Sequence, residues 1–145
     1  MLHRQHSLIL LLAGGLIVAA SLPAASQQLP SMVGTWKGTG TGVQIGPTPY
    51  RPAEGTGVKF PDNEIEFTYD IKEQRGNRFT GQLSGGTHKE TIIGAVQLNN
   101  RGGVMLDDDG KYLFTLIDPN TMDLCYDHHY STSKFVGCFR VKRSR

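Results

Sequence analysis

The sequence predicts an all-β fold: an eight-stranded antiparallel up-and-down (meander) β-barrel that follows a cleaved signal peptide. Three observations carry this. From residue 64 onward, apolar side chains recur at every second position, the period of a strand with one face on a core and one in water. Short clusters of Gly, Asn, Asp and Pro separate those runs, as hairpin turns require. After the N-terminal apolar run, no stretch keeps a helical apolar period.

The elements follow in order. Arg4, with His3 and His6, gives a short positive start. Residues 8–20 are an unbroken run of apolar residues and glycine, shorter than the roughly 20 residues a membrane-spanning helix needs. Ala24 and Ser26 suit the small-residue subsites of signal peptidase, so residues 1–26 are expected to be a signal peptide. Residues 27–145 then form a single barrel domain. No membrane span is expected after cleavage, and the compartment expected is the periplasm or the outside of a bacterial cell.

Residues 33–43 are the first expected strand. Residues 46–63, with Pro47, Pro49, Pro52 and Pro61, form the only long connection. Residues 64–73 alternate with Ile65, Phe67, Tyr69 and Ile71 on the core face. Arg75-Gly76-Asn77 turns the chain into residues 78–83, where Phe79 and Leu83 face inward. Further strands are expected over 90–98, 104–106, 111–117, 122–126 and 135–142, with turns at Gly85-Gly86, Asn99–Gly102, Asp108–Gly110 and Asp118–Asn120. Consecutive antiparallel strands form a meander, and a meander of eight removes its edges by closing.

Composition bounds the function. At 145 residues and 38% apolar content, the chain has a core but no room for a separate cofactor domain. With 15 basic against 13 acidic side chains, the net charge is only +2, which excludes a strong nucleic-acid field. The only cysteines are Cys125 and Cys138. In an exported chain they are expected to form one disulfide. They are equidistant from a turn between Ser131 and Thr132, so they should face each other across the last two strands.

Gly34-Thr35-Trp36 opens the first strand and Arg140 lies on the last. In this the chain resembles the calycins, the superfamily that includes lipocalins and avidins. The resemblance covers residues 27–145 in architecture and these few residues in motif. It implies a small ligand-binding barrel in which Arg140, or Lys142 beside it, packs on Trp36. Avidins build biotin sites with several tryptophans, and this chain has only Trp36.

The candidate ligand site follows from the inward faces. Trp36, Gly38, Gly40 and Gly42 share one face of the first strand, and Gly81 lies between Phe79 and Leu83. Inward glycines leave volume for a cavity, or else they bend a strongly coiled strand. The expected ligand residues are Trp36, Gly38, Gly40, Phe67, Tyr69, Phe79 and Tyr126, with Tyr50 and Arg51 in the long loop acting as a lid.

Other motifs do not survive. Gly38-Thr39-Gly40-Thr41-Gly42 lies in a strand, where a dinucleotide loop needs a strand before it and a helix after it. Asp107-Asp108-Asp109-Gly110 lacks EF-hand spacing, because Met105 and Leu116 occupy its end positions. His128 and His129 are adjacent and point to opposite faces of a strand. No nucleophile, paired-acid or metal constellation emerges, and no catalytic residue, metal or cofactor is expected. The expectation is an exported, non-catalytic protein that binds a small, largely apolar ligand. The alternatives are a periplasmic protein-recognition barrel, as in protease inhibitors, or a structural oligomer subunit, since two strands carry apolar residues on both parities (Ile92 and Ile93; Leu113, Phe114, Leu116 and Ile117).

Overall fold

A computed structural model describes residues 28–51 and 57–144. The expected signal peptide lies outside the described residues. Ten strands are present: β1 (Gly34–Gly40), β2 (Val43–Ile45), β3 (Val58–Lys59), β4 (Ile65–Arg75), β5 (Arg78–Gly85), β6 (His88–Val96), β7 (Gly102–Leu106), β8 (Gly110–Asp118), β9 (Thr121–His129) and β10 (Lys134–Arg143). From β4 to β10 each strand pairs antiparallel with the next. β1 pairs with β4 on one side and β10 on the other, so eight strands close a meander barrel without an edge.

The first expected strand is interrupted. β1 runs beside β4 from Gly34 to Gly40 and is paired in register with β10 at Trp36 and Lys37. Past Thr41 and Gly42 the chain resumes as β2 on the far half of β10, with Val43 opposite Val136. β3, from the long loop, adds a short outer pairing to β2. The expected turns form. Gly76 sits between β4 and β5 at φ 60°, the left-handed region that glycine enters without steric cost. A register shift between Ile71 and Glu73 marks a bulge in β4.

Alternation sorts the residues. Trp36, Tyr69, Ile71, Phe79, Leu83, Ile92, Val96, Met105, Tyr112, Phe114, Met122, Leu124, Tyr126 and Val141 fill the interior, joined by Met32. The neighbouring parity faces solvent, including Ile93, Val104, Leu106 and Leu113. Cys125 and Cys138 are opposed on the outer face of β9 and β10 and form the expected disulfide.

The glycine face is not hollow: of the two uses expected of these glycines, the structure shows the coiled strand rather than the cavity. A side chain on Gly38 would run into the Arg140 carbonyl oxygen and, at 2.9 Å, Val141. On Gly40 it would stand 2.7 Å from the Phe139 ring. On Gly81 it would meet the backbone of Asp70 and Ile71, beside the bulge. These glycines let neighbouring strands and rings approach in a tightly coiled barrel. Their missing volume is already occupied.

Trp36 closes one barrel end as expected, but with a different cation. Its ring is fully buried and its Nε1–H donates to the Met32 carbonyl at 2.9 Å. Arg143, the register partner of Trp36, lies over the ring at 4.2 Å from its centroid. The Arg143 guanidinium also donates to the carbonyls of Ser31, Val33 and Pro119. Arg140 and Lys142 have the opposite parity to Val141 and point outward. Arg140 instead makes a two-pronged ion pair with Asp123, at 2.6 and 2.9 Å.

Candidate site at the opposite barrel mouth

The polar chemistry is concentrated at the end away from Trp36. There β1, β5, β7 and β9 finish, and β4, β6, β8 and β10 begin. The described parts of the long connection, residues 46–51 and 57–63, lie at this mouth. Arg51 joins them: Nη1 donates to Asn63 Oδ1 at 2.6 Å and Nη2 to the Asn63 carbonyl. Gln44 Nε2 donates to the carbonyls of Gly46 and Arg51, and Thr41 Oγ1 to that of Pro61 at 2.7 Å.

Tyr50 drops from this loop into the mouth. Its ring meets Phe67 and His88 edge-on, at 5.3 and 5.0 Å between centroids. Gly85 makes room for it, since a side chain there would stand 2.9 Å from the ring. The Tyr50 hydroxyl donates to Glu90 Oε2 at 2.6 Å. Beside Tyr50 remains a cleft of about 30 Å³, lined chiefly by Gly40, Ile65, Phe67, Tyr126, Phe135 and Phe139. That is room for about one water molecule.

Beneath Tyr50 lies a network that the sequence reading missed. Glu90 on β6 is buried, and Asp107 and Asp109 in the β7–β8 turn are half-buried. Each of the three acids offers an oxygen within 4.8 Å of the others. Donors surround them. His88 bonds Glu90 Oε1 at 3.0 Å, and the Tyr112 hydroxyl donates to Asp107 Oδ2 at 3.0 Å. The backbone N–H groups of Asp109 and Gly110 donate to Asp107 Oδ1. Asp109 accepts from the Tyr126 hydroxyl at 2.6 Å and bonds His128 Nδ1 at 3.0 Å. His128 Nε2 in turn bonds Ser133 Oγ at 2.7 Å.

Burial, and then the neighbouring acids, push the Glu90 carboxyl up from its ordinary range. Burial, with Asp109 adding, does the same to Asp107. Burial raises the Tyr50, Tyr69 and Tyr126 hydroxyls well above the ordinary tyrosine value, so all three are neutral, and Tyr50 and Tyr126 donate to the acids. Tyr69 is fully buried, and its hydroxyl has no partner in hydrogen-bonding geometry.

The structure divides the expected ligand residues. Gly40, Tyr50, Arg51, Phe67 and Tyr126 meet at the mouth cleft. Tyr69 does not line the cleft; it is fully buried, with its ring edge-on to Tyr112 at 5.7 Å. Trp36 and Phe79 do not join them, because they belong to the filled core toward the other end, where Phe79 packs on Phe114. Gly38 is closed off by β10. One signal did mark the network: Glu90 shares its parity with Ile92 and Val96, so an acid stands on an apolar strand face. His128 and His129 point to opposite faces as expected, but the buried one, His128, belongs to the network.

Comparison of the chain with family models, curated proteins and solved structures finds no match.

Proposed function

We propose that this chain is an exported binding protein whose barrel mouth, beneath the loop of residues 46–63, takes up a small, largely apolar ligand without transforming it. The observation that carries the reading is Tyr50. An aromatic ring from the protein's own loop lies among Phe67 and His88, with its hydroxyl on buried Glu90. The mouth is therefore shaped for a flat ring that carries one hydrogen-bond donor. The remaining cleft of about 30 Å³ is far below the roughly 300–1,000 Å³ of ordinary ligand pockets. A ligand would enter by displacing Tyr50, with the loop moving aside. A lipocalin-like or avidin-like relation fits a barrel that opens at one mouth, and the disulfide fits export to an oxidising compartment.

The test is uptake of N-phenyl-1-naphthylamine, an apolar ring system with one N–H donor. Tyr50→Ala should bind this fluorescent probe more tightly than the parent. Fluorescence enhancement by neither chain sinks the reading.

One observation favours a second reading, an oligomer subunit. Ile93, Leu106, Val104 and Leu113 are exposed and adjacent across β6, β7 and β8, and an exposed apolar stripe suits a subunit contact. Light scattering after size exclusion would then give a multiple of the monomer mass, and Leu113→Lys would return it to the monomer.

A further inference from the structure

We propose that Glu90, Asp107 and Asp109 form a site for one hard divalent cation, of the Ca²⁺, Mg²⁺ and Mn²⁺ class, enclosed in the barrel mouth beneath Tyr50. The proposal does not rest on the displacement of Tyr50 by an organic ligand.

Geometry is the first support. Three carboxylate oxygens within 4.8 Å of one another can converge on one ion, because calcium–oxygen distances are about 2.3–2.6 Å. The donor set is entirely oxygen, which selects hard cations over soft ones.

Orientation is the second. Both oxygens of each acid already accept a bond from outside the cluster: Glu90 from His88 and Tyr50, Asp107 from Tyr112 and two backbone N–H groups, Asp109 from Tyr126 and His128. A carboxylate has about four lone-pair sites, so each keeps capacity for a metal. Outer partners of this kind hold ligands in place around metals. Among the described residues, no lysine or arginine pairs with any of the three acids. Among the described residues, the cationic candidates that pair with them are His88 and His128.

Tyr69 is the third and independent support. Its hydroxyl is fully buried and unpartnered. Its ring meets Tyr112 edge-on at 5.7 Å between centroids, and it is the Tyr112 hydroxyl that donates to Asp107 at 3.0 Å. A buried, unsatisfied hydroxyl costs free energy. A cation, or a water in its shell, among the three acids supplies the missing partner.

The rejected EF-hand reading stands, since that motif draws its ligands from one loop. This site joins the β7–β8 turn to an acid on β6. The test uses the full exported chain after removal of metals with EDTA, titrated separately with calcium, magnesium and manganese chloride. At least one ion should raise the melting temperature and give saturable heat in calorimetry. Asp109→Asn, which changes a residue at the rim of the cluster, should weaken that affinity by about tenfold or more. Tyr69→Phe should keep the fold and weaken it less. The proposal is overturned if none of the three ions binds at millimolar concentration, or if Asp109→Asn binds as the parent does. Glu90→Gln risks the fold, so the decision lies with Asp109→Asn.

Discussion

Tyr50, at the barrel mouth, donates its hydroxyl to the buried carboxylate of Glu90 on β6 at 2.6 Å. This one bond ties a proline-rich connection to the interior polar network. Tyr50→Phe keeps the ring and removes the donor from a buried acid. Hydrogen bonds to charged groups contribute about 1.5–3 kcal/mol, and urea denaturation should lose an amount in the lower part of that range, since Tyr50 is only part-buried. A variant as stable as the parent would mean that the loop is held by the bonds of Arg51, Gln44 and Thr41 without the one from Tyr50.

Arg143 and Arg140 should behave oppositely. Trp36→Ala removes a fully buried indole and should cost about 3–5 kcal/mol. Arg143→Met removes a cation over that ring, a contact that contributes about 0.5–2 kcal/mol, together with its bonds to three carbonyls. Arg140→Met should leave the denaturation midpoint where it was, because the Asp123 pair is exposed and such pairs contribute little. Equal losses at both arginines would contradict this assignment.

The glycine face should resist side chains. Gly40→Val places methyl groups into the Phe139 ring, and overpacking of this kind costs about 1–3 kcal/mol. Gly38→Ala meets the Arg140 carbonyl, which is backbone and cannot rotate away. Valine suits strands better than glycine, so propensity cannot produce a loss at Gly40. Thermal melts of both variants check this. Unchanged stability would restore the hollow barrel that the sequence pattern suggested.

The Cys125–Cys138 disulfide closes a loop with a sequence separation of 13. On the chain-entropy account a crosslink of that span contributes about 3 kcal/mol. It lies on the outer face of β9 and β10, so a reductant reaches it without unfolding. Reduced and alkylated protein should stay folded and denature at lower urea. Labelling of two free thiols in unreduced, unfolded protein would refute the bridge.

Asp123 supplies a pH readout away from the mouth. The hydrogen bonds from Arg140, with its charge adding, hold the Asp123 carboxyl below its ordinary value of 3.8. A carboxyl depressed in the folded state binds fewer protons there than in the unfolded chain. Its contribution to stability is complete above the unfolded value and is lost as pH falls through the folded one. Carboxyl NMR should place the Asp123 midpoint below 3.8, and Arg140→Gln should raise it. A midpoint unmoved by that substitution would mean that the ion pair does not form in solution.

The sequence by itself determined the barrel class, the turns and the cysteine pairing. Each of these is a local property. Period-two alternation from Ile65 to Ile71 decides which face is buried, turn residues such as Gly76 decide where a strand reverses, and a hairpin centred between Cys125 and Cys138 decides their register. Tertiary structure alone decided the rest, because it depends on how a closed, coiled sheet brings distant strands together. The meeting of β1 and β10 gives Trp36 to Arg143 rather than to Arg140. The same coiling fills the space beside Gly38 and Gly40 with Val141 and Phe139. It also gathers Glu90, Asp107 and Asp109 from two segments into one cluster under Tyr50, with Glu90 buried. The parity of Glu90 was visible along the chain, but its acidic neighbours were not, since cross-strand register is set by closure of the whole barrel.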